Sequence, residues 1–157
     1  MRSEPLQTVQ ATGLKVAILV SSYHSEITSK LSNGAQTTFV DAGGSIDDCP
    51  SIEVSGAWEL PVVASTLASK GEIDAIVAIG CIISGETTHD QVIADAIAEG
   101  LMTVAITWKL PVSMGILTCK TFDQARERAG GVCGNKGSEA MHAALSTIEV
   151  LKVVGSE

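Results

Sequence analysis

Three histidines, His24, His89 and His142, are the side chains in this sequence best suited to moving protons near neutral pH. None has metal-ligand spacing, and neither HExxH nor an EF-hand loop occurs, so no metal site is expected. No serine sits in a GxSxG elbow. The stretch Gly131-Val132-Cys133-Gly134-Asn135-Lys136-Gly137 resembles a phosphate loop only superficially, because Gly137 follows the lysine where Ser or Thr is required. No GxGxxG follows the first apolar run, which removes the case for a dinucleotide cofactor. Cys49, Cys81, Cys119 and Cys133 lie far apart with no CxxC pair and read as free thiols; Cys81, Cys119 and Cys133 read as packing residues with no nucleophilic role. Taken alone, His89 reads as a solvent-exposed histidine at a helix start. Arg128, taken alone, reads as a solvated helix charge paired with Glu127 or Asp123.

The elements that must position these residues are legible from apolar spacing. Val16 to Val20, Ile73 to Ile83 and Pro111 to Leu117 are continuous apolar runs, as expected of parallel strands covered on both faces, and Ile52 to Val54 is a shorter strand. Spacings near 3.6 predict helices over Glu26 to Val40, Trp58 to Ser69, about Thr88 to Thr107, and Asn135 to Val154. In the second, Leu60, Val63, Ala64 and Leu67 share a face and Pro61 is tolerated in the first turn. A shorter helix, Phe122 to Ala129, is closed by Gly130 and Gly131 as stop signals. Strands alternating with helices imply right-handed crossovers and a three-layer αβα sandwich, flavodoxin-like, around a central and mainly four-stranded parallel sheet. The 157 residues suit one domain, read as residues 14–157 behind an N-terminal extension, 1–13.

Composition narrows the partners. Eighteen acidic against ten basic residues give a net charge of −8, which argues against nucleic acid or an anionic membrane surface as the main partner. Five aromatic residues supply base stacking poorly. The longest apolar runs fall well short of the roughly 20 residues of a membrane-spanning helix. Met1 to Gly13 is polar without a hydrophobic signal core, so a soluble, cytoplasmic protein is expected. In open parallel sheets ligands bind beyond the carboxyl ends of the strands. Three segments are expected there, Ser21 to His24, Gly56 to Glu59, and Cys81 to His89, forming one crevice.

Six segments, in order and with compatible spacing, resemble the 6,7-dimethyl-8-ribityllumazine synthase family of riboflavin biosynthesis. They are Val54-Ser-Gly-Ala-Trp-Glu-Leu-Pro61, Gly85-Glu-Thr-Thr-His89, Gly115-Ile-Leu-Thr118, Gln124-Ala125, Glu127-Arg-Ala-Gly130 and Gly134-Asn-Lys-Gly137, and the resemblance spans roughly residues 14 to 152. It implies a transferase that condenses 5-amino-6-ribitylamino-uracil with 3,4-dihydroxy-2-butanone 4-phosphate, releasing phosphate and water with no metal or organic cofactor. His89 then corresponds to the proton-transfer histidine and Arg128 to the phosphate-binding arginine, whose planar guanidinium suits a departing phosphate. Gly85, Glu86 and Thr87 stand where a strand gives way to a helix, so backbone N–H groups and the helix dipole can hold the phosphate. Gly56, Ala57, Trp58 and Glu59 match the segment that holds the ribityl chain, with Trp58 alternatively a core residue. Cys81, Ile82 and Ile83 match the strand end whose backbone addresses the pyrimidine, and Lys136 matches a position near the site.

The chain also departs from the family pattern. Ser22-Tyr23-His24 replaces the usual Arg-Phe-Asn; Tyr23 can still stack on the heterocycle, while the asparagine's polar contact falls to His24. Ser84 replaces a basic or amide residue, Asp90 and Gln91 replace an aromatic and an acid, and Met114 replaces a neighbour-facing aromatic, losing stacking worth ~0.5–1.5 kcal/mol. Met114 begins its strand, at the wrong end for its own crevice, so with Arg128 and Lys136 it is expected to serve an adjacent subunit. The resemblance implies a homopentamer, or a 60-mer of pentamers forming an icosahedral capsid. Two other readings stand beside this one. A non-catalytic shell or ligand-binding assembly protein would fit the altered positions, and a flavodoxin-like flavin-binding module rests on fold analogy alone.

Overall fold

The computed structural model describes residues 7–156. Four strands form the central sheet: β1 (Val16–Ser21), β2 (Ser51–Val54), β3 (Ala75–Ile83) and β4 (Val112–Cys119). All pair in parallel, in the order β2-β1-β3-β4, with Ile18 opposite Ser51, Val16 opposite Ala75 and Ile76 opposite Val112. The parallel sheet and its helical layers are those expected from the apolar runs.

Five α-helices lie among the described residues: α1 (Ser25–Asp41), α2 (Leu60–Lys70), α3 (His89–Trp108), α4 (Phe122–Glu127) and α5 (Lys136–Val154). Because side chains alternate across a strand, each sheet face builds its own core. Val16, Ile18, Val77, Ile79 and Cys81 pack with α1 and α5. Leu19, Ile76 and Ala78 pack with α2 and α3. In α1 the buried Ile27, Leu31, Ala35 and Phe39 recur every fourth residue, which is the stripe a helix lays on a sheet.

The ends differ from expectation for local reasons. The α-helix expected from Trp58 begins at Leu60, because Ala57–Glu59 is a 3₁₀ turn. The strand expected from Ile73 begins at Ala75, and Asp74 instead closes its start by accepting the Lys15 backbone N–H at 2.8 Å. β4 runs two residues past Leu117, where its ladder to β3 continues to Cys119. The helix expected to reach Ala129 ends at Glu127. Gly130 and Gly131 do not simply stop it: Ala129–Gly131 (β5) pairs antiparallel with Gly134–Asn135 (β6) in a small ribbon.

Residues 1–6 of the expected N-terminal extension lie outside the described residues. Of the remainder, Val9 and Ala11 are buried in the α1/α5 core, the Ala11 N–H donates to Ala42 O at 2.8 Å, and Gln7 O meets His142 Nε2. Against the short apolar runs of the sequence reading, α3 is by length and composition apolar enough to cross a membrane. It carries Asp95 and Glu99 mid-length and packs one face on α2 and the sheet.

Candidate active site

β1 leads to α1 and then to β2 on one side, while β3 lies on β1's other side and leads on to β4. The carboxyl ends of β1 and β3 therefore flank the point where the connections diverge, which is where open α/β sheets leave a crevice. A cavity of about 530 Å³ opens there, within the range of small-molecule sites.

Its first wall is the turn after β1. The Ser22 N–H donates to Val54 O at 2.8 Å and the Tyr23 N–H to Ser21 Oγ at 3.3 Å. His24 then takes the left-handed conformation (φ 57°, ψ 47°) that turns the chain into α1. Asparagine and histidine are both enriched in that region, so His24 can replace the family's asparagine without losing the turn. The His24 ring lies edge-on to Tyr23 (centroids 4.5 Å apart) and to Phe122 (5.6 Å), and Arg126 caps Phe122 at 4.7 Å. Tyr23 is left exposed, facing the cavity.

The second wall is the turn after β2. Gly56 is extended there, and a Cβ on it would come within 2.9 Å of Glu59 Oε2, the movable end of a flexible side chain. Trp58 is 58% exposed and lines the cavity, which sets aside the core alternative for it. The third wall is the end of β3, Cys81 to Ile83, followed by Gly85, Thr87 and the first turn of α3 with His89. Thr87 Oγ1 accepts the His89 N–H at 3.4 Å. Burial and the neighbouring Cys119 push the Cys81 thiol up to about 11, so it is protonated near pH 7 and unsuited to nucleophilic attack.

The fold thus brings Tyr23, His24, Gly56, Ala57 and Trp58 together with Cys81, Ile82, Ile83, Gly85, Thr87 and His89. Five other expected site residues do not line this cavity. Glu59 borders an adjoining groove with Trp58 and Val62. Glu86 is exposed on the loop before α3. Met114 is 57% exposed near the start of β4, opposite Ala78. Arg128 follows α4, with Nη1 donating to Gln124 O at 3.0 Å, and its charge draws the Cys119 thiol down against the larger upward effect of burial. Lys136 pairs with Glu139 at 2.7 Å. Conversely, Asp90 and Ile93 line the cavity and were not among the expected residues. Helical spacing could have found Ile93, one turn beyond His89 on the same face.

The motif Gly134-Asn135-Lys136-Gly137 has a structural role that its sequence conceals. Asn135 Oδ1 accepts the Gly137 and Ser138 N–H groups at 2.9 and 3.1 Å, capping α5, and its Nδ2 donates to Lys30 O at 3.0 Å. Gly137 lies so close to the Leu31 backbone that only a missing side chain permits the contact. The motif docks α5 onto α1.

This geometry provides exposed aromatic walls for a planar ring, a strand end and turn with backbone groups, and a histidine at a helix start. Residues 13–152 match the family described as 6,7-dimethyl-8-ribityllumazine synthase. Proteins of that name are similar along nearly their whole length. The one from Xylella fastidiosa is 40% identical over 144 residues, covering 92% of this chain and 94% of its own. The Pediococcus pentosaceus protein is 35% identical over 155 residues, 99% of each chain. That of Thermus thermophilus is 38% identical over 144 residues, 92% of each.

Proposed function

Because the chain belongs to the 6,7-dimethyl-8-ribityllumazine synthase family, we propose that the crevice between the ends of β1 and β3 is where it joins its two substrates. The chain is an enzyme of riboflavin biosynthesis. It condenses 5-amino-6-ribitylamino-uracil with 3,4-dihydroxy-2-butanone 4-phosphate to give 6,7-dimethyl-8-ribityllumazine, phosphate and water. The observation that carries the assignment to this crevice is the convergence of His89, the Gly85–Thr87 turn and the Tyr23 and Trp58 rings on one cavity.

Imine formation, phosphate loss and ring closure each move protons, and His89, the wall histidine that follows the Gly85–Thr87 turn, passes them. The pyrimidine rests against Tyr23, with the Ile82 and Ile83 backbone addressing its polar edge and Gly56 to Glu59 holding the ribityl chain. The N–H groups around Gly85, Glu86 and Thr87 hold the phosphate. Holding two small substrates together supplies a further share of the rate.

Arg128, Lys136 and Met114 complete the crevice of a neighbouring copy, which accounts for their lying away from their own. Val62, Val92, Met102, Ile106 and Trp108 are apolar and exposed on α2 and α3, and with Met114 on β4 they offer that neighbour a surface. Contiguous apolar patches of this kind are a mark of interaction surfaces. The assembly is a homopentamer, or a 60-mer capsid of pentamers, and it works in the cytoplasm, where its four free thiols persist.

Mixing the purified protein with both substrates and following lumazine fluorescence tests the assignment. Formation well above the uncatalysed mixture is expected; an assembled protein no faster than that mixture would leave only a shell or binding role.

A further inference from the structure

Among the described residues, Asp90 is the one formally charged side chain that its own subunit places in the wall of the cavity. It is half-buried in the first turn of α3. Ser84 Oγ donates to Asp90 Oδ2 at 2.9 Å. Ser84 is itself fixed at the end of β3, its N–H donating to Cys119 O at 2.8 Å. Among the described residues no cation pairs with Asp90, and its Oδ1 has no hydrogen-bond partner. The result is a carboxylate anchored on one oxygen and open on the other, in a wall whose other residues from the same subunit carry no formal charge.

An ionised carboxylate is an acceptor only, so it selects for N–H or O–H donors and against anions. The two substrates differ in that respect. One carries a phosphate dianion; the other is an uncharged ring bearing an amino group and ring N–H groups. The backbone that addresses the ring ends at Ile83, and Ser84, the next residue, holds the carboxylate. We propose that Asp90, positioned by Ser84, is a specificity-determining acceptor for an amino or ring N–H group of the pyrimidine substrate. This rests on the reading of the crevice given above. A hydrogen bond to a carboxylate is about twice as strong as one between neutral groups, so its loss is measurable.

The experiment compares wild type, Asp90→Asn, Ser84→Ala and the double variant. It measures binding of the ribitylaminopyrimidine alone by equilibrium dialysis and KM for each substrate at steady state. Asp90→Asn keeps the shape but replaces the anionic acceptor, and about a tenfold rise in pyrimidine Kd and KM is expected, equivalent to roughly 1.4 kcal/mol. KM for the butanone phosphate stays level or falls as the repulsion is removed. Ser84→Ala raises the pyrimidine constants about threefold on its own and adds nothing to Asp90→Asn. An unmoved pyrimidine Kd in Asp90→Asn, or a rise confined to the butanone phosphate, overturns the proposal. If Asp90→Asn does not fold, Ser84→Ala decides alone, and unchanged pyrimidine binding in it overturns the proposal. A wild type that binds neither substrate would instead defeat the functional reading, while normal wild-type turnover with an indifferent Asp90 defeats only this role.

Discussion

Gly137→Ala is a sharp test of how the two helices beneath the site are joined. A Cβ at this position would lie 1.9 Å from Leu31 O, 2.6 Å from its carbonyl carbon and 2.9 Å from its Cα. Ordinary contact begins near 3.4 Å, so α1 and α5 would have to part by about 1.5 Å, more than the ~0.5–1 Å gap that already forfeits a quarter to a half of the dispersion attraction. The atoms in the way are backbone and cannot swing aside, which places the change near the upper end of the ~1–3 kcal/mol typical of overpacking. Alanine recovers at most about 1 kcal/mol of helix propensity. The net loss is then about 2–3 kcal/mol, and at roughly 2–4 °C per kcal/mol for a domain of this size the midpoint falls by about 4–12 °C. Thermal unfolding followed by far-ultraviolet circular dichroism measures it, at one protein concentration because assembly shifts the midpoint. Gly85→Ala is the control: its Cβ meets nothing within 4 Å, and its midpoint is expected to stay in place. A Gly137→Ala protein that melts with the wild type or above it would refute the contact.

Arg128→Ala is expected to raise KM for the butanone phosphate roughly 10- to 100-fold, the loss of one charge-assisted contact, while KM for the pyrimidine barely moves; steady-state kinetics with each substrate varied in turn would expose an error if both constants held still. If Arg128 serves a neighbour's crevice, unfolding and refolding a mixture of Arg128→Ala and His89→Ala chains yields rings with some intact sites, and activity exceeds that of either parent. Activity no better than the parents' mean would place both residues in one subunit's site. Because the Cys81 thiol is pushed up to about 11, its alkylation by iodoacetamide is slow at neutral pH and gains about tenfold per pH unit through pH 10; a rate already level by pH 9 would contradict the burial. Between the ordinary thiol range and pH 11 the unfolded chain binds fewer protons than the folded one, so the contribution of Cys81 and Cys49 to stability is present below pH 9 and is lost as pH rises.

The strands were legible because Val16 to Val20 and Ala75 to Ile83 are apolar on both faces, a pattern that survives without any knowledge of partners. The crevice followed from them, since the carboxyl ends of parallel strands are fixed by connectivity. What escaped was decided by contacts distant in sequence. Ala129–Gly131 and Gly134–Asn135 carry almost no side chain to mark them as strands, and their ribbon depends on Gly130 and Gly134 adopting positive φ. Nothing in Gly137 itself announces Leu31, more than a hundred positions earlier. Asp90 read as a departure from the family pattern until Ser84, another departure, proved to be its hydrogen-bond partner. Trp58 could have been core or wall by composition, and only the 3₁₀ turn before α2 leaves it exposed.

Turnover in this crevice depends on His89 passing protons, and the measurement that decides it is lumazine formation by wild type and His89→Ala side by side, with the uncatalysed mixture as baseline and light scattering to confirm equal assembly. The wild type is expected well above that baseline and His89→Ala slower by on the order of 100-fold, yet still above it, because the two substrates remain held together. Equal rates from two equally assembled proteins would rule out proton transfer by His89.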